Sequence, residues 1–93
     1  MQATGYKIAD AQRERFLSAI SMLKLETGCV DCGYDSDPAA LDFDHVRGEK
    51  TLGVGQMRGH PWERVFAEID KCEVVCANCH RIRTSNRRRN KCL

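Results

Sequence analysis

The chain has 93 residues, which fits one small domain. Hydrophobic residues make up 42% and charged residues 30%, a balance that argues against intrinsic disorder, and the net charge is only +2. No apolar run approaches the length of a membrane-spanning helix, and the first residues lack the apolar stretch of a secretory signal, so we expect a cytoplasmic protein with no membrane partner.

The first predicted element is a helix over residues 10–26. Asp10 is a suitable N-cap for it, and Gly28 is a suitable stop. Four apolar residues recur on one face at helical spacing and are expected to face the core: Phe16, Leu17, Ile20 and Leu23.

A short strand is predicted over residues 41–46, where apolar and polar side chains alternate. The alternation places Leu41, Phe43 and His45 on one side, and Asp42 and Asp44 on the other. The glycine-rich segment 47–58 that follows is expected to be loop or irregular strand.

A second helix is predicted from Pro61 to about Asp70, because proline suits the first helical position. Its apolar stripe includes Trp62, which we expect to anchor the core rather than to stack on a base. A short strand over residues 73–75 is then followed by a third helix that carries His80.

Four of the six cysteines form two pairs in which two residues separate the members: Cys29 with Cys32, and Cys76 with Cys79. Two such pairs are typical of a tetrahedral four-cysteine zinc site, because each turn lets both thiolates reach one ion. The long interval between the pairs must contain folded elements. Zinc would contribute roughly 10–16 kcal/mol of apparent binding free energy, which a domain with a small core needs.

Three alternatives to zinc are weaker. Disulfides need an oxidising compartment, which the missing export signal argues against. The segment from Cys76 to His80 also matches the attachment motif of c-type haem, but haem attachment needs export as well. A rubredoxin-like iron site has the same four cysteine ligands, but nothing else in the sequence indicates electron transfer. Of the other two cysteines, Cys72 is expected to face the core and Cys92 to be a free thiol. The alternative that Cys72 replaces one of the four paired cysteines as a zinc ligand stays open.

Positive charge is concentrated near the C-terminal end. The whole chain has 15 basic and 13 acidic residues, and residues 81–93 contain six of the basic ones and no acid, which leaves a body of charge −4. The six are Arg81, Arg83, Arg87, Arg88, Arg89 and Lys91. An acidic body with a basic tail favours a polyanionic partner, usually nucleic acid, although a solvated, disordered tail is the alternative.

A polar cluster is predicted where the strand and the third helix meet. If the two cysteine pairs share one zinc ion, His80 is tied close to the strand, and Asp44 and His80 could hold a second divalent cation through oxygen and nitrogen. His45 would be free to accept a proton from water, since imidazoles titrate near neutral pH. The simpler alternatives are that Asp44 caps a turn, that His45 is a hydrogen-bonded packing residue and that His80 donates to the zinc thiolates.

The constellation resembles the HNH endonucleases, in particular the small, zinc-stapled type of phages and bacteria. The resemblance covers about residues 28–84 and rests on three segments: Cys29-x-x-Cys32-Gly33, residues 41–46 and residues 71–81. It implies an α+β fold with a ββα-metal (His-Me finger) core stapled by the four-cysteine zinc site, plus an N-terminal helix and an additional helix between the cysteine pairs. Residues 1–93 would then be a single nuclease domain with a basic tail at 85–93.

The resemblance also implies roles for individual residues. Asp44 and His80 would hold a catalytic Mg²⁺, or another divalent ion such as Mn²⁺. His45 would be the general base in the hydrolysis of DNA. If the chain is phage-encoded, this reaction would take place in the host cytoplasm. The residues expected to hold DNA phosphates are Arg47, Lys50, Arg81, Arg83, Arg87, Arg88 and Arg89. The family often has an Asn before the second cysteine pair that fixes the loop and orients the base. This chain has Lys71-Cys72 there, so the residue that orients His45 is unidentified.

Two other classes of function stay open. A zinc-stapled DNA-binding module that has lost cleavage would bind DNA without nicking it, and the missing Asn favours this alternative. A protein-interaction adaptor would bind a protein through its acidic body. A domain of this size has little surface for base readout, which leaves room for a homodimer or a partner protein.

Overall fold

Three helices and one two-stranded sheet make up the part of the chain that the structure, a computed structural model, describes: the backbone of residues 4–92 and the side chains of residues 11–89. In chain order the elements are α1 (Thr4–Thr27), β1 (Leu41–His45), α2 (Trp62–Ile69), β2 (Cys72–Cys76) and α3 (Ala77–Cys92), with short 3-10 helices at Pro38–Ala40 and Val54–Gln56. The predicted α+β class is confirmed. None of the described helices is long and apolar enough to cross a membrane.

Helix α1 begins at Thr4, six residues before the predicted N-cap Asp10, which therefore lies inside the helix. The intervening residues contain no proline, and Gly5 is the one poor helix former among them. The predicted stop is confirmed: Gly28 has a positive φ of 69°, and its N–H donates to the carbonyl of Lys24 at 2.8 Å. Glycine is favoured after a helix because this conformation costs it no side-chain clash.

Strands β1 and β2 pair antiparallel, with Leu41 opposite Cys76 and His45 opposite Cys72. Both strands carry buried apolar residues, and Leu41 and Val75 are almost completely enclosed. Helix α3 follows β2 without a loop and starts inside the second cysteine pair, as predicted. The segment 85–93 that the sequence analysis separates as a tail is the last part of this helix as far as Cys92, and the side chains of Lys91 and Cys92 lie outside the described residues.

Two buried clusters form the core. One joins α1 to α2 and includes Phe16, Ile20, Val54, Met57, Val65 and Cys72. The other lies under the cysteine pairs and includes Cys29, Leu41, Val74, Val75 and Cys76. Half-buried Phe43 contacts both clusters, so the sheet connects them.

Two expectations about the core are wrong. Leu17 is 44% exposed, because it lies one residue beyond Phe16 and so points about 100° away from the buried stripe. Trp62 is 43% exposed, because it is the first residue of α2 and lies at the edge of the core. It stacks on Phe16, with the ring centroids 5.8 Å apart, and so covers the core rather than anchoring it. The expectation that Cys72 faces the core is confirmed.

Candidate functional site

The four paired cysteines converge on one point. Their Sγ atoms all lie within 4.8 Å of one another, and the Sγ atoms of Cys32 and Cys76 are 3.7 Å apart. A tetrahedral zinc ion with bonds of about 2.3 Å separates its sulfur ligands by about 3.8 Å. The predicted ligand set is therefore confirmed as a cluster that can hold a metal ion such as zinc.

The two cysteine pairs have the same local geometry. In each pair the backbone N–H of the second cysteine points at the Sγ of the first, at 3.4 Å from nitrogen to sulfur in both Cys32 to Cys29 and Cys79 to Cys76. Gly33, with a φ of 84°, closes the first turn through a hydrogen bond from its N–H to the Cys29 carbonyl. Such N–H groups stabilise thiolates, which are the form that binds metal.

Four thiolates within 4.8 Å of one another would repel one another strongly without a cation between them. Burial raises the pKa of the Cys29 thiol, but hydrogen bonds from the backbone of Cys76 and Cys32 outweigh it and lower this pKa to about 6. The hydrogen bond with Cys76, together with burial, raises the pKa of Cys79 to about 12. Metal binding must therefore release protons, and the affinity for zinc should fall in acid.

The structure brings Asp44 and His80 together. Nε2 of His80 lies 3.6 Å from Oδ1 of Asp44, and Nδ1 of the same ring lies 3.0 Å from Oδ2 of Asp42. Asp42 and Asp44 are two residues apart and share one face of β1, as the alternation predicts. Asp42 has no role in the sequence analysis beyond membership of the cluster. Its position two residues before Asp44 is the signal that it could reach the same ring.

Asp44 is buried, at 4% exposure, and it is paired with two arginines of α3. Arg83 donates to Oδ2 at 2.9 Å, and Arg87 donates to Oδ1 at 3.1 Å and Oδ2 at 2.8 Å. Burial by itself raises the pKa of Asp44, but the hydrogen bonds from Arg87 and Arg83 outweigh it and hold this pKa below its ordinary value. Alternation along the strand does not predict this burial, because it depends on α3 lying over β1.

Arg83 also connects separate parts of the site. Its guanidinium donates to both carboxylate oxygens of Asp31, at 2.7 and 2.8 Å, and lies 2.9 Å from Oε1 of Glu73. Asp31 belongs to the turn of the first cysteine pair, and Glu73 belongs to β2. Arg83 thus ties this turn and the sheet to Asp44, and its protein partners already occupy the donors that were expected to hold DNA phosphates.

His45 contacts a different group of residues. Its Nε2 lies 2.8 Å from Oε2 of Glu68, a side chain of α2. Glu68 is buried and also accepts hydrogen bonds from the backbone N–H of Thr51 at 3.0 Å and from Nζ of Lys71 at 3.1 Å. Among the described hydrogen bonds, the partner of His45 is this carboxylate and not the Asp44–His80 pair.

Glu68 is not among the site residues predicted from the sequence. The available signal is its spacing: Glu68 lies three residues after buried Val65, on the helix face that enters the core. A carboxylate at such a position needs partners, and the nearby basic residues supply them.

The two residues of the β1–α2 connection that were expected to hold phosphates differ in their surroundings. Arg47 donates from Nε to the Asp70 carbonyl at 2.9 Å and from Nη2 to the Cys72 carbonyl at 3.1 Å, so it fastens this loop to α2 and β2. Lys50 is exposed, and within the described residues it makes no hydrogen bond. Lys50 is therefore the freer of the two for a phosphate.

The ionised Glu68 should make stability depend on pH. The N–H of Thr51, aided by Lys71 and His45, lowers the pKa of Glu68 to about 2, well below its ordinary value. A lowered pKa stabilises the fold at neutral pH and loses this contribution as the pH falls from about 4.5 towards 2. We expect Glu68→Gln to be less stable than wild type at neutral pH, and the difference between their free energies of unfolding to shrink over that range.

Urea unfolding with zinc present, from pH 7 down to the lowest pH at which both proteins keep their zinc, measures this difference. Glu63→Gln is the matched control, because Glu63 is an exposed residue of the same helix and should change stability little at any pH. At neutral pH, a Glu68→Gln protein as stable as wild type and as Glu63→Gln would contradict the expectation.

Comparison with protein-family models, with curated proteins and with solved structures finds no match for this chain. The fold and the site themselves define the class of this protein. It is a small α+β protein with a four-cysteine group that can hold a metal ion, beside a buried aspartate paired with a histidine.

Proposed function

We propose that this chain is a metal-dependent DNA endonuclease of the HNH type. The observation that carries the proposal is the pairing of buried Asp44 with His80, at 3.6 Å, with His45 as the next residue of the strand. These are the residue types, in the order, that the resemblance to HNH endonucleases implies for two metal ligands and a general base.

The order of the elements supports the same proposal. Strands β1 and β2 pair antiparallel and are followed by α3, with α2 between the strands, which is the order expected of a ββα core with an additional helix. The four-cysteine group lies where β2 meets α3, since Cys76 ends the strand and Cys79 is in the first turn of the helix. A metal ion there would fix the start of α3, and with it His80, relative to the sheet.

Asp44 and His80 offer a donor set that suits the second ion. A carboxylate oxygen and an imidazole nitrogen are acceptable ligands for Mg²⁺ or Mn²⁺, with water and phosphate oxygens completing the shell. Oδ1 of Asp44 also accepts a hydrogen bond from the half-exposed side chain of Arg87, and an ion bound at Oδ1 would have to displace this contact. Asp42 holds the other nitrogen of His80 and so fixes its ring.

In this proposal the residues of the chain divide the work. When bound, the divalent ion supplies positive charge next to the scissile phosphate. His45 accepts a proton from the attacking water, and Asp42 keeps Nε2 of His80 directed at Asp44. Phosphodiester hydrolysis is very slow without catalysis, so positioning of this kind is what the site must provide.

Four of the basic residues of α3 fall into two groups, and only one of these groups is suited to DNA. Arg83 and Arg87 are bound to carboxylates of the protein. Arg81 and Arg88 are exposed and, within the described residues, make no ion pair. They line a groove on one side of α3 together with Asp42, Ala77, His80, Thr84 and Ser85. A DNA strand that follows this groove would pass the Asp44–His80 pair, so we assign the phosphate contacts chiefly to Arg81 and Arg88.

This assignment predicts a specific salt dependence. We expect the double variant Arg81→Gln/Arg88→Gln to bind duplex DNA at least about tenfold more weakly, with zinc content unchanged. Each lost phosphate contact should reduce the slope of log K against log salt by about 0.9, so the double variant should lose about 1.8. Fluorescence anisotropy at several salt concentrations measures both quantities.

The matched control is Arg13→Gln/Arg64→Gln, which removes the same charge from α1 and α2. It should leave the slope nearly as in wild type. Equal changes of slope in the two double variants would show that only net charge matters, and would contradict a binding groove on α3.

The proposed function is tested by incubating the zinc-loaded protein with supercoiled plasmid in EDTA, Mg²⁺, Mn²⁺ or Zn²⁺, with a gel shift on the same samples. Conversion to open circles in Mg²⁺ or Mn²⁺, and none in EDTA, is the expected result. A gel shift without nicking in any metal would contradict an endonuclease and favour the DNA-binding module instead. Neither nicking nor a shift would favour the protein-interaction adaptor.

A further inference from the structure

The position where HNH endonucleases often have an asparagine is occupied by Lys71, and the surrounding contacts indicate how the chain manages without it. We propose that Glu68 is a positioning residue that holds the ring of His45 with Nε2–H bound and Nδ1 free, while Lys71 fixes the loop after β1. The catalytic consequence rests on the proposed function, whereas the arrangement of the two side chains does not.

The Glu68 carboxylate is itself held firmly. Its side chain is only 4% exposed, Oε2 accepts from the N–H of Thr51, and Oε1 accepts from Nζ of Lys71. An ionised carboxylate can only accept hydrogen bonds, so the contact of 2.8 Å to His45 requires a proton on Nε2. A neutral His45 then has its lone pair on Nδ1, which is the atom able to accept a proton from water.

Lys71 carries out the second task through both backbone and side chain. Its carbonyl accepts from the N–H groups of Val46 and Arg47, at 2.8 and 3.0 Å. Its Nζ donates to the carbonyl of Glu49 at 2.8 Å and lies 3.2 Å from the hydroxyl of Thr51. The start and the end of the segment 46–51 are therefore fastened to one residue, which is the task that the resemblance gives to the asparagine.

The two tasks are thus separated by one helical turn. Glu68 is in the last turn of α2, Lys71 is the second residue after this helix, and an ion pair links the two side chains. A purely structural ion pair would also stabilise the loop. Stabilising the loop does not require the contact between Oε2 of Glu68 and Nε2 of His45.

The direct test is NMR of the zinc-loaded wild-type protein with ¹⁵N-labelled histidine, at a pH where the imidazole is neutral. We expect His45 to show a protonated Nε2 whose hydrogen exchanges slowly with water. The same signal should persist in Glu68→Gln, because the amide oxygen can still accept from Nε2 and Thr51, and it should disappear in Glu68→Ala. A His45 ring protonated on Nδ1, or an Nε2–H that exchanges as fast as in a free imidazole, would overturn the proposal.

Kinetics then separate positioning from a merely structural role. Glu68→Ala should lower kcat for nicking about a hundredfold, with KM for DNA and zinc content nearly unchanged, and Glu68→Gln should recover most of the rate. A folded Glu68→Ala with the wild-type kcat would overturn the proposal. If Glu68→Ala does not fold, the NMR signal of the wild type still decides it. A bound Nε2–H in a protein that never nicks DNA would reject the proposed function and leave the Glu68–His45 arrangement standing.

Discussion

Replacing Cys76 with serine is expected to unfold the domain. Cys76 is buried at the end of β2, and its Sγ lies 3.7 Å from that of Cys32 within the four-cysteine group. A serine hydroxyl does not ionise at neutral pH and would not replace the thiolate as a zinc ligand. Structural zinc contributes roughly 10–16 kcal/mol of apparent binding free energy, whereas the whole stability of a domain is typically about 5–15 kcal/mol. Loss of most of the former is therefore comparable to or larger than the latter.

Circular dichroism, thermal unfolding and zinc content measure this result. Cys72→Ser is the matched control, because Cys72 is equally buried in β2 but lies outside the four-cysteine group. Its Sγ donates to the carbonyl of Glu68 at 3.3 Å, and a serine hydroxyl can make the same bond, so this variant should fold and bind zinc. A Cys76→Ser protein that is free of zinc and still unfolds cooperatively would contradict the role of the metal.

Replacing His45 with alanine is expected to abolish DNA cleavage while leaving the fold intact. In the proposed function this side chain accepts the proton of the attacking water, a contribution typically worth about 10² to 10⁴ in rate. The residue is at the end of β1 and outside both buried clusters, so zinc binding and DNA affinity should change little. Single-turnover nicking of supercoiled plasmid in Mg²⁺ measures the rate.

His60→Ala is the matched control for this variant. His60 is a half-buried histidine before α2, and among the described hydrogen bonds its ring contacts none of the proposed catalytic residues. It should nick DNA at nearly the wild-type rate. Nicking by His45→Ala within a few-fold of wild type would exclude His45 as the base.

Features that depend on short-range spacing could be predicted from the sequence. Two residues between the cysteines of each pair suffice to place both sulfurs on one side of a turn, and the structure confirms that the pairs meet. Alternation along residues 41–46 likewise placed Asp42 and Asp44 on the same face of β1. In both cases the spacing of neighbouring residues determines which side chains point to the same side.

Features that depend on how elements pack could not be predicted in this way. The burial of Asp44 results from the position of α3, whose Arg83 and Arg87 cover it. The role of Glu68 required the contact between α2 and the end of β1, because its spacing from Val65 places it on the inward face of the helix but does not identify His45 as its partner. The exposure of Trp62 likewise follows from its place at the edge of the interface between α1 and α2.

In the proposed function two metal centres have separate tasks, and a titration of the zinc-loaded protein with Mn²⁺ tests this division most directly. Bound Mn²⁺ is followed by electron paramagnetic resonance, and plasmid nicking is measured at the same concentrations, for wild type and Asp44→Asn. We predict that wild type binds one Mn²⁺, that nicking rises in step with this binding, and that Asp44→Asn loses both while it retains its zinc. Equal Mn²⁺ binding and equal nicking by the two proteins would contradict the account, because Asp44 would then hold neither the ion nor the activity.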